Sequence, residues 1–119
     1  MKIVYAGSPQ YAVAPLRALI EAGEEVIAVL TQPDKPTGRK RVLSPTPVKL
    51  YALSKGIPVY DFDKVRGHAE QLKNIGADIM FTCAYGQLLS QEVLNAFPMG
   101  VYNLHASLLP AFRGASPIQ

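Results

Sequence analysis

Cysteine is nearly absent from this chain of 119 residues, which contains only Cys83. One thiol cannot form an internal disulfide framework or a multi-cysteine metal site, so disulfide-stabilised folds and zinc ribbons are excluded. Long apolar stretches are also missing. None approaches the ~20 residues that a membrane helix needs, and the N-terminus lacks the apolar segment of a signal peptide. We therefore expect a soluble, cytoplasmic domain with no membrane partner.

Charged residues are scarce too, at 18% against 49% hydrophobic residues, which argues against intrinsic disorder and for one globular domain with a modest core. The net charge of +3 is unevenly distributed. Residues 32–49 contain five basic residues and one acidic residue, a net charge of +4, whereas the rest of the chain contains seven basic and eight acidic residues, a net charge of −1. One segment therefore carries the positive charge.

Short apolar runs alternate with helical patterns along the chain. Strands are predicted at 3–6, 26–30, 57–60, 79–85 and 101–105, and helices at 14–22, 47–55, 64–75 and from Ser90 to before Pro98. This order predicts an α/β fold with an open, mostly parallel, Rossmann-like sheet and helices on both faces. Ligands of such sheets bind beyond the carboxyl ends of the strands, where segments 7–10, 85–89 and 105–114 fall.

Asn103 and His105 are spaced to share one face at the end of the fifth predicted strand. An amide N–H₂ can donate to a developing oxyanion, and an imidazole can exchange protons near neutral pH, so the pair is a catalytic candidate. The alternative is a polar pair that only holds a loop. After it, Pro110 and Gly114 predict a rigid, extended backbone that could bind the edge of a flat heterocycle, or an ordinary connection.

Tyr85 and Gly86 follow the most apolar predicted strand. Gly86 would let a ligand approach the main chain, and Tyr85 could line a pocket or simply pack. The basic segment contains Lys35, Arg39 and several prolines, and it is too long for a routine connection. Such a loop suits phosphates, although a solvated charged loop is the equal alternative.

The chain stops soon after the fifth predicted strand, and we expect nothing to pair with the far side of that strand. A bare apolar edge strand is a liability in a complete protein. We therefore expect this chain to be the front part of a longer domain.

Several of these segments together resemble one family. The similarity covers NLHASLLP at 103–110 and TQPDKPTGR at 31–39, with 6–9, 44–49, 84–86 and 112–119 in register. The chain thus resembles the methionyl-tRNA formyltransferases over essentially its whole length. The Asn-x-His-x-Ser-Leu-Leu-Pro element is shared with other folate-dependent formyltransferases and hydrolases, whereas the basic, proline-rich loop is more specific to the tRNA enzymes.

The resemblance implies transfer of a formyl group from 10-formyltetrahydrofolate to the amine of initiator methionyl-tRNA, in translation initiation and without a metal. It implies a formyltransferase fold in which 1–119 are the N-terminal portion of the catalytic domain, truncated after the fifth strand and inactive by itself. The family's later catalytic Asp would lie beyond residue 119. By the same resemblance, the site residues are Asn103 and His105 for catalysis, Tyr85, Gly86, Ser107, Leu108, Leu109 and Pro110 for folate, and Lys35, Arg39, Lys40 and Arg41 for tRNA.

Two alternatives stay open at this point. A formyltransferase acting on a small amine would share the Asn-His and Ser-Leu-Leu-Pro elements but would have less use for a basic loop. A non-catalytic folate- or RNA-binding module would not need the missing acidic residue.

Overall fold

Short strands and helices alternate in the computed structural model, which describes residues 1–104 and the backbone of 116–117. Two 3₁₀ turns, Gln10–Ala12 and Val65–Gly67, complete the pattern. The elements are β1 (Lys2–Gly7), α1 (Val13–Glu21), β2 (Glu25–Leu30), β3 (Lys35–Thr37), β4 (Val42–Ser44), α2 (Pro47–Ser54), β5 (Val59–Tyr60), α3 (Ala69–Ile75), β6 (Ile79–Cys83), α4 (Gln91–Asn95), β7 (Val101–Asn103) and β8 (Ser116–Pro117).

The main sheet has the strand order β5-β2-β1-β6-β7-β8. The first five strands in this order pair in parallel, and β8 pairs antiparallel with β7. The predicted α/β class and mostly parallel sheet are therefore confirmed. The expectation that nothing pairs with the far side of the fifth predicted strand is wrong, because Ser116 and Pro117 pair antiparallel with β7. Proline has no N–H to donate, so it suits such an edge.

Helices cover both faces of the sheet, as predicted. Successive residues of β1 point to opposite faces. Val4 belongs to a buried cluster with Leu72 of α3 and Val93 of α4. Tyr5 belongs to a second cluster with Leu16 of α1 and with residues of α2. Burial on both sides explains why the strands read as continuous apolar runs rather than as alternating ones.

Local signals set most element ends. The Thr46 side chain accepts a hydrogen bond from the Lys49 N–H and caps α2, and Ser90 caps α4 in the same way. The strand predicted over 79–85 ends at Cys83, because Ala84 has a left-handed backbone with φ of 52°. The helix predicted over 64–75 is interrupted at His68, which lies between a 3₁₀ turn and α3.

The basic segment, predicted as a loop, is a hairpin in which β3 and β4 form a separate antiparallel ribbon. We call residues 35–44 the basic hairpin. Its strands have three residues each and β3 contains Pro36, so neither apolar alternation nor β propensity marked them. A turn closes the ribbon, with the Arg41 N–H donating to the Gly38 carbonyl at 3.3 Å, and the hydroxyls of Thr37 and Ser44 are 2.7 Å apart across it.

None of the helices in the described part of the chain is long and apolar enough to span a bilayer.

Close packing at the end of β1 leads to a test of stability. A methyl group on Gly7 would lie 2.8 Å from the Cys83 carbonyl oxygen and 3.1 Å from Ala12 Cβ. Gly7→Ala should therefore lower the free energy of unfolding by about 1–3 kcal/mol, as measured by urea denaturation. Gly67→Ala is the matched control, since a methyl group there meets nothing within 4 Å. A neutral result for Gly7→Ala would contradict the packing described here.

Candidate functional site

A small cleft opens at the carboxyl edge of the sheet, where β6 and β7 end. Its volume is about 280 Å³. Polar groups come from the strand ends, and apolar side chains come from the turn that follows β6. The lining residues are Thr82, Ala84, Tyr85, Gly86, Gln87, Leu88, Leu89 and Asn103. The predicted catalytic residue Asn103 and two predicted folate-binding residues therefore share one cleft.

Asn103 is half-buried, and its side-chain oxygen is hydrogen-bonded to the neighbouring strand. The Thr82 hydroxyl donates to Asn103 Oδ1 at 3.1 Å across the β6–β7 pair. Because Oδ1 accepts this bond, Nδ2 is the group through which the amide can donate to a ligand. A donor at the edge of a cleft can stabilise negative charge that develops on a bound carbonyl oxygen.

Tyr85 is 4% exposed, although it lines the cleft. Its hydroxyl is buried and has no hydrogen-bond partner among the residues that the structure describes. Burial raises the pKa of Tyr85 to about 12. An unpaired buried hydroxyl is costly, so this group has an unused capacity to bind a polar atom.

The turn after β6 has an unusual backbone. Ala84 has φ of 52° and Gly86 has φ of 92°. A methyl group on Gly86 would lie only 2.6 Å from Gln32 Nε2, which donates to the Gly86 carbonyl at 2.7 Å. The group that approaches the Gly86 main chain in this structure is therefore the Gln32 side chain, and it occupies the carbonyl.

Two glutamines and a serine that sequence reasoning overlooked hold this turn. Gln87 Nε2 donates to Gln32 Oε1 at 3.0 Å and to the Phe62 carbonyl at 2.9 Å, and Gln87 Oε1 accepts from the Val65 N–H at 2.7 Å. The Ser8 hydroxyl donates to the Tyr85 carbonyl at 2.9 Å. Their positions just beyond the ends of β1, β2 and β6 were the available signal, because polar side chains there meet at one edge.

The basic hairpin leaves the same edge after β2. The predicted tRNA-binding residues Lys35, Arg39, Lys40 and Arg41 are all exposed. Val42 and Leu43 are also exposed on β4, at 60% and 64%, so the hairpin presents both charge and apolar surface.

Lys49 of α2 anchors the start of the hairpin. Its Nζ lies 2.9 Å from the Asp34 carboxylate and 3.0 Å from that of Asp61. The hydrogen bonds to Asp34 and Asp61 raise the pKa of Lys49. The lysine therefore stays charged and joins the segment before β3 to the segment after β5.

The other predicted site residues lie outside the described part of the chain. These are His105 and the stretch Ser107, Leu108, Leu109 and Pro110. Their assigned roles stay predictions. Among the described residues, no group of three or more His, Cys, Asp or Glu side chains is placed to hold a metal ion.

Comparison with known proteins identifies the family. The model of the formyl transferase family matches residues 1–119. The chain belongs to the formyl transferase family. Similar curated members include methionyl-tRNA formyltransferases of Symbiobacterium thermophilum, 50% identical over 121 residues, and Chromobacterium violaceum, 51% identical over 122 residues. Both alignments cover 100% of this chain, but only 37% and 40% of those proteins. The chain thus spans about two fifths of the length of the relatives it matches.

Solved structures show the same fold. The phosphoribosylglycinamide formyltransferase of Bacillus halodurans matches with a TM-score of 0.64 and 23% identity, covering 96% of this chain and 60% of that one. The glycinamide ribonucleotide transformylase 1 of Geobacillus kaustophilus matches with a TM-score of 0.66 and 22% identity, covering 95% and 62%. The predicted formyltransferase fold is therefore confirmed.

The unpaired hydroxyl of Tyr85 leads to a test. Tyr85→Phe removes a buried group that lacks a partner, so we expect the free energy of unfolding at pH 8 to rise by about 1 kcal/mol in urea denaturation. Tyr11→Phe, at an exposed position, is the control and should change nothing. A loss of stability in Tyr85→Phe would show that the hydroxyl is bonded in the folded protein.

The same variant tests the direction of the pH dependence. The pKa of Tyr85 is raised in the folded state. Its contribution to the free energy of unfolding is therefore intact below pH 10.0 and is lost as the pH rises towards about 12. Between these values the unfolded chain releases the Tyr85 proton and the folded chain retains it. Tyr85→Phe should therefore lose less stability than the wild type over this interval. Equal losses would contradict the burial of this phenol.

Proposed function

We propose that this chain is the N-terminal portion of a catalytic domain that transfers a formyl group from 10-formyltetrahydrofolate to the amine of initiator methionyl-tRNA. Such a reaction serves translation initiation in the cytoplasm. The observation that carries the proposal is the position of the basic hairpin: this positively charged, exposed element follows β2 at the same carboxyl edge of the sheet as Asn103, Tyr85 and Gly86. Relatives that are 50% and 51% identical to this chain over the aligned residues bear the methionyl-tRNA formyltransferase name, which supports this substrate.

The cleft is proposed to bind a flat, hydrogen-bonding ring, the pteridine of folate. Its wall combines apolar side chains, including Leu89, with main-chain groups of the turn after β6. The Tyr85 hydroxyl has unused bonding capacity within the described region. The folate would supply an activated one-carbon unit, and the stretch 107–110 is proposed to complete its site.

Asn103 and His105 are proposed to act on the formyl group. When the amine adds to the formyl carbon, negative charge develops on the formyl oxygen. Asn103 Nδ2 would donate to that oxygen, and a protonated His105 would stabilise the same charge. A fixed donor of this kind contributes about 2.7–4 kcal/mol to lowering the barrier. Asn103 is held in place beforehand by Thr82, so little reorganisation is needed.

Lys35, Arg39, Lys40 and Arg41 are proposed to bind the RNA backbone. Phosphate contacts supply affinity and register, while the chemistry stays in the cleft. The ion pair between Asp34 and Lys49 anchors the start of the hairpin and so helps to position these charges.

Isosteric replacement of the amide tests the catalytic assignment in the protein expressed from its full reading frame. Asn103→Asp keeps the oxygen that accepts from Thr82 but removes the Nδ2 donor. We expect kcat for methionyl-tRNA formylation to fall by roughly 10²–10³-fold. His105→Ala should also reduce kcat while leaving the Kd for tRNA nearly unchanged. Asn95→Asp, on the surface of α4, is the control. Equal losses of turnover and tRNA binding in His105→Ala would count against the role assigned to this residue.

Removal of one hairpin charge tests the tRNA assignment. Arg39→Ala should raise the KM for methionyl-tRNA several-fold, leave the KM for the formyl donor unchanged, and reduce the slope of log K against log salt by about 1. Lys73→Ala, which removes an exposed charge from α3, should leave all three unchanged. Unaltered use of tRNA by Arg39→Ala would dismiss the role of the hairpin.

Comparison of acceptors decides between the proposed function and its alternatives. Faster turnover of a small amine, such as an amino sugar nucleotide or a purine precursor, would assign the chain to another folate-dependent formyltransferase. Binding of folate or RNA with no turnover by the full protein would indicate a non-catalytic module.

A further inference from the structure

The side chain of Gln32 connects the cleft to the basic hairpin. It lies just after β2 and shortly before β3. Its Nε2 donates to the Gly86 carbonyl at 2.7 Å, and its Oε1 accepts from Gln87 Nε2 at 3.0 Å. Because both ends of the amide are bonded, its orientation is defined, with the donor facing the turn that lines the cleft.

Gly86 is adapted to this contact. Its φ of 92° favours glycine, and a methyl group there would lie 2.6 Å from Gln32 Nε2. The short contact to the carbonyl therefore requires both the glycine and the glutamine.

A second connection runs through Ser8. The Ser8 hydroxyl accepts from the Gln32 N–H at 3.2 Å and donates to the Tyr85 carbonyl at 2.9 Å. The backbone and side chain of Gln32 thus act on two successive carbonyls of one turn, those of Tyr85 and Gly86. Gln32 and Ser8 together therefore hold the backbone of this turn, whose residues Tyr85 and Gly86 line the cleft.

The segments on both sides of the basic hairpin join the same network. On one side, only Pro33 and Asp34 separate Gln32 from β3, and Pro33 has a restricted φ. On the other side, the hydroxyls of Thr46 and Thr31 are 2.5 Å apart, and Thr31 immediately precedes Gln32. A contiguous hydrogen-bond network of this kind can carry energetic coupling between two sites.

We propose that Gln32 is a positioning residue that holds the turn at Tyr85 and Gly86 in the conformation that binds the formyl donor, and that it makes donor binding respond to RNA on the basic hairpin. This inference rests on the proposed function and adds a coupling between its two substrates. By linkage, the coupling is reciprocal: bound RNA tightens donor binding, and bound donor tightens RNA binding by the same factor.

Calorimetric titration tests the coupling. The ligand is 5-formyltetrahydrofolate, a stable isomer of the donor, titrated into the full-reading-frame protein with and without saturating initiator tRNA. In the wild type, tRNA should lower the Kd for the folate by about fivefold or more. Gln32→Glu keeps the acceptor for Gln87 but cannot donate to the Gly86 carbonyl. We expect it to raise the folate Kd about tenfold and to abolish the effect of tRNA.

Kinetics separate positioning from mere stability. Gln32→Glu should raise the KM for the donor while kcat at saturation of both substrates stays within about threefold of the wild type. Gln91→Glu makes the same chemical change on α4, where Gln91 Nε2 donates to Asn95 Oδ1, and should behave as wild type. Gln87→Glu removes the donor to Gln32 Oε1 and should show a smaller effect in the same direction, which keeps the inference testable if Gln32→Glu folds poorly.

The outcomes distinguish the two hypotheses. Wild-type folate affinity and an intact response to tRNA in a folded Gln32→Glu protein would overturn the role of Gln32. A wild type that binds both ligands without coupling would overturn it as well. A wild type that binds neither folate nor tRNA would instead remove the proposed function on which this inference rests.

Discussion

The Ser8 hydroxyl holds together the carboxyl ends of three strands. It directly follows β1, accepts from the Gln32 N–H beyond β2, and donates to the Tyr85 carbonyl beyond β6. Only a residue after β1 can do this, because β1 lies between the other two strands in the sheet. Gly7, which precedes Ser8, has no side chain, and a methyl group there would lie 2.8 Å from the Cys83 carbonyl oxygen of β6. The cleft, the turn that lines it and the base of the basic hairpin all depend on this junction.

The basic residues of the hairpin lie apart from the cleft in this arrangement. The cleft is lined by uncharged side chains, whereas the exposed basic residues lie on a ribbon outside the main sheet. Attraction to phosphates is strong, salt-dependent and insensitive to small errors in position. Stabilisation of charge at a reacting carbonyl requires fixed geometry instead. Under the proposed function, the hydrogen-bonded edge would provide the fixed geometry, and the protruding hairpin would provide the attraction to phosphates.

The elements that could be predicted from sequence were those with a strong local cause. Apolar runs buried on both faces marked the parallel strands, and Thr46 with Pro47 marked the start of α2. The strands of the basic hairpin could not be predicted, because three-residue segments with a proline carry no period. β6 ends early because Ala84 has a left-handed backbone, and an alanine in the sequence does not predict that conformation.

The candidate site could be predicted only in part from the sequence, for a similar reason. Asn103, Tyr85 and Gly86 were predicted, and the structure places them around one cleft. Gln32 and Gln87 were overlooked, because their importance comes from bonds between segments that are 54 and 55 residues apart. An amide side chain looks the same in sequence whether it is solvated or joins three segments, so tertiary structure was needed to tell these cases apart.

The backbone of Ala84 restricts the evolution of the cleft wall. Its φ of 52° is tolerable for alanine, glycine or asparagine but severe for a β-branched residue. Valine, isoleucine and threonine are therefore disfavoured at this position regardless of what the cleft binds. Related sequences should vary little in bulk here, and a restricted substitution pattern at position 84 would reflect backbone geometry rather than selection by the ligand.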